Sequence, residues 1–302
     1  MTTVATAPPA RRSITSGSGS PRRRLTNAAA TAGMFLSLLI VLVPLVLIIG
    51  YVIKKGLPIM SWQFLTEDIP LFSRATGPGM GPAIAGTLLI TGAATVMAVP
   101  VGVLGGIYLS EYSRGSLFGR VIRFLAETMT GVPSIVMGLF VFTIYTLRFQ
   151  KVNAFGGALA LGCLMLPVII RTTEEMLKLV PGDLRESSYA LGGRKAATIV
   201  RVVLPAAASG IVSGVLLAVA RAAGETAPLL FTIGIVNQTN WHLFSGANTA
   251  LSVQIFSNAQ SVFPGPQERA WGAALTLIVI VFLFTIAARL VSAFFTRRHA
   301  SQ

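Results

Sequence analysis

The 302-residue chain is 53% hydrophobic and only 11% charged, with mean hydropathy +0.74 and a formal net charge of +14. A soluble domain carries about 25% charged residues, so most of this surface must face lipid or other apolar helices. The basic excess does not point to nucleic acid, and no such partner is expected. The basic residues fall between and beside the apolar runs, as orientation signals do. Cys163 is the single cysteine, which excludes an intrachain disulfide and a thiolate metal cluster. His242 and His299 are too far apart in sequence for a paired-His metal motif.

Residues 1–27 are rich in Pro, Ser, Thr and Gly, with Arg11, Arg12, Arg22, Arg23 and Arg24; this composition predicts a flexible cytoplasmic tail. The apolar run from Ala28 is too long for a signal-peptide h-region and lacks a small-residue cleavage site. A bilayer-crossing helix needs roughly 20 largely apolar residues, and six stretches satisfy this: 29–53, 82–109, 122–147, 152–171, 206–236 and 271–295. Pro44, Pro100, Pro133 and Pro167 lie within them and mark kinks or close packing. The expected fold class is an all-α integral membrane protein with six transmembrane helices over 28–296 and a short tail at 297–302.

An even number of spans puts both termini on one side. With the N-terminus inside, sixteen basic residues lie in or beside the tails, 110–121 and 172–205, against six on the opposite side. The positive-inside rule therefore places both termini in the cytoplasm of a plasma membrane. The outer segments 54–81 and 237–270 carry Trp62 and Trp241. They read as interfacial loops with aromatic anchors, or as contacts for an external protein.

The polar stretch from Arg171 to Pro205 interrupts this apolar pattern. Pro181 can open a helix, with Asp183 and Glu186 near its positive end. Leu184, Ser187, Ser188 and Leu191 share one side at helical spacing, and Gly192-Gly193 permits a sharp reversal. A second amphipathic helix then runs to Pro205. The composition fits a solvated loop, but the spacing favours a short helix–turn–helix with small residues for close approach. That is a cytoplasmic docking element.

The segment Glu186-Ser187-Ser188-Tyr189-Ala190-Leu191-Gly192, followed by Val202-Val203-Leu204-Pro205, resembles the EAA loop of bacterial ABC importer permeases. Family members usually have Ala-Ala where this chain has Ser187-Ser188. The strings Tyr108-Leu109-Ser110-Glu111-Tyr112, Gly131-Val132-Pro133-Ser134, Arg171-Thr172-Thr173-Glu174-Glu175 and Arg221-Ala222-Ala223-Gly224-Glu225-Thr226-Ala227-Pro228 narrow the resemblance to the phosphate-importer permeases of the PstA family, over roughly 30–295. The resemblance implies an ABC type I importer architecture. It also implies a coupling helix at 181–193, with Pro181, Asp183, Leu184, Glu186, Ser187, Ser188, Leu191, Gly192 and Gly193, seated in a cleft of a cytoplasmic ATPase. The implied partners are a second permease, PstC, a PstB ATPase dimer carrying ATP-Mg, and an external phosphate-binding protein, PstS. The chain itself has no GxxxxGK[ST] segment; by the resemblance it binds no cofactor and has no catalytic residues. A permease for another oxyanion remains open, as does a secondary transporter or a membrane scaffold.

Charges inside the apolar runs are the candidate pathway residues, because a charge in lipid is expensive and turns toward protein or water. Arg221 and Glu225 are spaced i,i+4, which permits a pair that fixes packing or one that lines or gates an anion path. Glu127 is a weaker candidate: four residues after Arg123, it is at least as well placed for a salt bridge. Gly210 and Gly214 suit close helix packing, and Arg289 can snorkel to the interface.

Overall fold

The computed structural model describes residues 21–72, 77–113 and 115–300, so most of the N-terminal tail lies outside the described residues. Helix α1 (Pro21–Gly56) opens on proline, whose missing N–H costs nothing in a first turn, and ends with Lys54 and Lys55 beside its free carbonyls. It takes in residues 21–27, which composition alone assigns to the tail. The chain divides into two compact units after Tyr51. In the first, the side chains from Met34 to Ile49 are exposed and apolar apart from Ser37, as a lipid-facing helix requires.

The second unit holds the remaining elements. A single 3-10 turn (Leu57–Ile59) leads to α2 (Trp62–Thr66), capped by the Ser61 hydroxyl, which accepts from the Phe64 N–H. Helix α3 (Gly81–Ile107) passes into a π-helical turn, Tyr108–Tyr112. Then follow α4 (Leu117–Gly131), capped by Ser116, and α5 (Ser134–Val141), which passes into a π-helical turn at Phe142–Leu147. The sequence predicts one span over 122–147, but here α4 and the α5 segment meet at 108°. Pro133 causes the break. It cannot donate a helical hydrogen bond and excludes Val132 from helical geometry, so Val132 and Pro133 both take ψ near 130°.

Helix α6 (Ala154–Lys178) is capped by Asn153, whose side chain accepts from the Gly156 N–H. It continues two turns past Arg171, where the sequence predicts the span to end. Next come α7 (Gly182–Ala190), α8 (Lys195–Thr198), a π-helical turn (Ile199–Val203) and α9 (Leu204–Ala223). The predicted span 206–236 is cut short because Gly224 and Pro228 end the helix; only α10 (Leu229–Thr232) forms beyond them. Helices α11 (Leu251–Ala259) and α12 (Pro264–Ala300) complete the chain. Five helical segments among the described residues are long and apolar enough to cross a membrane, and the bent α4–α5 pair is a sixth if taken as one span.

The central frame is α3 against α6, with α9 packed on α6 and α12. Ile90, Ala94 and Ala98 of α3 meet Leu161, Met165 and Ile169 of α6 and Ala218, Val219 and Ala222 of α9. Small residues set the spacing, as expected where lipid supplies no hydrophobic drive between helices. Gly210 and Gly214 of α9 lie where a Cβ would collide with Met176 and Thr172 of α6. A Cβ on Gly106 would fall 2.6 Å from Thr173 Cβ and 2.8 Å from the Ile170 carbonyl oxygen. Gly106→Val is therefore expected to lower stability by about 1–3 kcal/mol. Gly92→Ala, where no atom beyond its own helix backbone lies within 4 Å of the new carbon, is expected to be neutral to slightly stabilising. Thermal unfolding of both variants in detergent checks this.

One end of this frame gathers the Tyr108–Tyr112 turn, the start of α4, the end of α6 and α7. At the opposite end, Thr87 Oγ1 accepts from the Leu251 N–H, Asn153 donates to the Phe244 carbonyl, and Asp68 accepts from the backbone and hydroxyl of Thr239.

Candidate functional site

A cavity of about 240 Å³ opens where the α4–α5 break faces α6 and the end of α9. Its walls are Met129, Thr130, Val132, Pro133 and Ser134 from the break, Leu164 and Val168 from α6, and Arg221, Ala222 and Glu225 from the end of α9. Leu164 and Val168 precede the end of α6 by ten to fourteen residues, roughly 15–21 Å of helix.

Arg221 occupies the last turn of α9, where a cation complements the free carbonyls. Glu225 lies just beyond the helix, not on its face as the i,i+4 spacing predicts, because the chain turns at Gly224. The turn is closed by the Gly224 N–H donating to the Arg221 carbonyl and the Glu225 N–H donating to that of Ala222. The Ser252 hydroxyl of α11 donates to the Glu225 carbonyl and fixes the turn from the other side. Arg221 Nε stands 3.7 Å from Glu225 Oε1, with side chains 72% and 21% exposed. That separation is an ion pair but not a hydrogen bond. The guanidinium is restrained yet keeps donors for an anion.

At the other end of the frame stands α7. Pro181 sets its start with an extended ψ of 141°, and Asp183 lies in its first turn. Its end is a Schellman closure. Gly192 adopts φ +80°, its N–H donates to the Tyr189 carbonyl, and the Gly193 N–H donates to that of Ser188. Ser188 Oγ and Thr198 Oγ1 share a 2.8 Å hydrogen bond that joins α7 to α8. Leu184, Tyr189 and Leu191 are exposed on the short helix and its turn.

Arg185 secures α7 to the frame. Its guanidinium donates to Glu111 Oε1 at 2.8 Å and to the carbonyls of Leu177 and Val180 at 2.9 and 2.8 Å. No group of three or more His, Cys, Asp or Glu side chains that could hold a metal occurs among the described residues.

Residues 98–299 match the model of the binding-protein-dependent transport system inner membrane component family. The chain is 43% identical over 281 residues to phosphate transport system permease protein PstA 1 of Mycobacterium tuberculosis (strain CDC 1551 / Oshkosh), covering 92% of each chain. It is 42% identical to the PstA permease of Yersinia pestis, over 90% of this chain and 91% of that one. It belongs to the PstA family of binding-protein-dependent permeases. Solved structures agree on the fold of this PstA-family chain. An inward-facing form of the MetNI methionine ABC transporter matches with TM-score 0.56 at 19% identity, covering 71% of this chain and 93% of that one. A bacterial ABC transporter involved in alginate import matches with TM-score 0.57 at 12% identity, covering 90% and 96%. The PstA-family chain is thus a multi-pass integral membrane transport component of all-α, type I importer architecture.

Of the pathway candidates read from its sequence, the permease brings Arg221 and Glu225 to one cavity. Glu127 is absent from the cavity walls; it is exposed on α4. Nor does Glu127 pair with Arg123, as the four-residue spacing suggests. Arg123 Nε donates to Glu174 Oε1 at 2.7 Å instead, and its Nη2 donates to the Leu109 carbonyl at 2.7 Å. Sequence reasoning missed that junction, the Glu111–Arg185 pair and the cavity walls contributed by the Pro133 break. The signal for the break was Gly131-Val132-Pro133 itself. No local spacing could have revealed the two ion pairs.

Proposed function

We propose that this permease is a membrane subunit of an ATP-driven importer of inorganic phosphate. It forms the translocation path with a second permease and receives phosphate from an external binding protein. The observation that carries the reading is the Arg221 guanidinium, half-restrained by Glu225 at the wall of a cavity of about 240 Å³. A planar fork of donors suits a tetrahedral oxyanion, and a neighbouring carboxylate keeps the site from holding it too tightly. Relatives that share about two-fifths of the sequence bear the name phosphate transport system permease, which favours phosphate over another oxyanion.

The exposed α7 is the coupling helix, read at 181–193 and seated on one subunit of a cytoplasmic ATPase dimer that holds ATP-Mg. This orientation puts both termini in the cytoplasm, in keeping with the basic-residue asymmetry. Closure of the ATPase dimer displaces α7 and opens the permease pair outward; hydrolysis returns it inward. Phosphate crosses chemically unchanged, so the subunit supplies positioning and charge compensation, not catalysis.

The test is uptake of radiolabelled inorganic phosphate into proteoliposomes containing the complete complex and the binding protein. ATP-dependent accumulation of phosphate, not competed by sulfate, is expected. Accumulation of sulfate in preference to phosphate would assign the path to the other oxyanion, and accumulation without ATP would reject the importer reading.

A further inference from the structure

Two carboxylates sit in the frame at the coupling end, and each is held by an arginine from a different element. The Glu111 side chain is 4% exposed and meets Arg185 of α7, itself 11% exposed. Glu174 of α6 is 7% exposed and meets both Arg123 of α4 at 2.7 Å and Lys178 at 2.7 Å. The two junctions share one segment. Glu111 belongs to the Tyr108–Tyr112 turn, and Arg123 also donates to the carbonyl of Leu109 in that same turn. A π-helical turn lacks the regular i→i−4 ladder and is a natural point of compliance between α3 and what it carries. Lys195 Nζ stands 4.4 Å from the centre of the Tyr112 ring and adds a third contact between this turn and the α7–α8 segment.

The connection continues to the cavity. Arg123 roots α4, and the far end of α4 supplies Met129 and Thr130 to the cavity, followed by the break at Val132-Pro133. From Arg123 to Thr130 the chain is a continuous helix of about two turns, so a shift at its root reaches the cavity wall without an intervening hinge.

We propose that Glu111 and Arg185 form the joint through which movement of α7 reaches the α4–α5 break at the cavity, with Arg123 and Glu174 as its second half. The two residues are positioning residues: neither lines the cavity. Both sides of the joint are anchored, because Arg185 also holds the carbonyls of Leu177 and Val180 at the end of α6. Moving α7 therefore moves the end of α6 and the π-helical turn together. This inference rests on the coupling role of α7 given above.

The test reads gating of the cavity and substrate transport separately. In a Cys163→Ser background, Ser134→Cys places a thiol in the cavity wall, and its rate of maleimide labelling is compared in nucleotide-free and vanadate-trapped complexes. With the joint intact, the rate is expected to change about fivefold or more between the two states. With Glu111→Gln, which removes the charge but leaves Arg185 an acceptor, the change is expected to shrink by about threefold or more while the ATPase stays bound. Arg185→Lys, with Glu111 in place, keeps the charge and is expected to retain most of the change. Glu111→Gln/Arg185→Gln also loses the bonds to the Leu177 and Val180 carbonyls and is expected to shrink the change at least as far as Glu111→Gln alone. An undiminished nucleotide-dependent change in Glu111→Gln, or no change even with the joint intact, would each overturn the proposal. Phosphate uptake is measured in parallel without the Ser134→Cys reporter. A wild-type complex that gates its cavity but moves no phosphate would sink the substrate reading and leave the joint standing.

Discussion

Arg221→Ala is expected to lower phosphate uptake about tenfold to a hundredfold, the range for losing one charge-assisted contact to an anion, with assembly of the complex unchanged. The separation of effects follows from where the residue stands. Its side chain is 72% exposed in the cavity wall, so truncation leaves no packing void and no buried polar group unpaired. The loss falls on the anion. Arg221→Lys keeps the charge but not the planar fork and is expected to lie between the two. Glu225→Gln is expected to act differently: it releases the guanidinium from its restraint, so phosphate binds more tightly and leaves more slowly. Maximal uptake then falls together with the concentration needed for half-maximal rate. Initial rates from proteoliposomes, with copurification of the ATPase as the assembly control, decide this. Wild-type uptake by an assembled Arg221→Ala complex would remove Arg221 from the path.

The division between what the sequence revealed and what it did not has a physical basis. Hydropathy located the first, second, fourth and sixth apolar runs, because the need to satisfy backbone groups within the helix leaves little freedom. It misjudged where helices end. Arg171, Glu174, Glu175 and Lys178 looked like the end of a span, but Arg171 pairs with Glu175, and Glu174 with Lys178 and Arg123, so α6 carries its charges onward. The 206–236 run looked continuous because Gly224 and Pro228 are common within membrane helices; here they end α9 and place Arg221 and Glu225 at a cavity. Local signals sufficed for α7, since proline at its start and paired glycines at its end act within a few residues. They could not suffice for Arg185 and Glu111, which lie 74 positions apart and meet only once α3 and α6 have packed.

Leu184→Asp combined with Leu191→Asp is expected to weaken retention of the ATPase about a hundredfold or more, the effect of removing anchor side chains from an interface, and to abolish uptake with it. Leu184 is 42% exposed, Tyr189 43% and Leu191 90%, a run of apolar side chains on one short helix and its turn that the chain itself does not cover. Charging two of them costs the isolated permease little, because neither is buried in it. Gly192→Val probes the same element by a different route. At φ +80° a β-branched residue is strained by about 1–3 kcal/mol, and relieving that strain unwinds the Schellman closure and turns Leu191 away from α7. Retention is then expected to fall although every apolar side chain is still present. Copurification of the ATPase with tagged permease measures both. Full retention and full uptake in the double aspartate variant would mean that α7 is not the surface on which the ATPase sits. Loss with the aspartates but not with Gly192→Val would mean that the side chains bind without needing the closure that presents them.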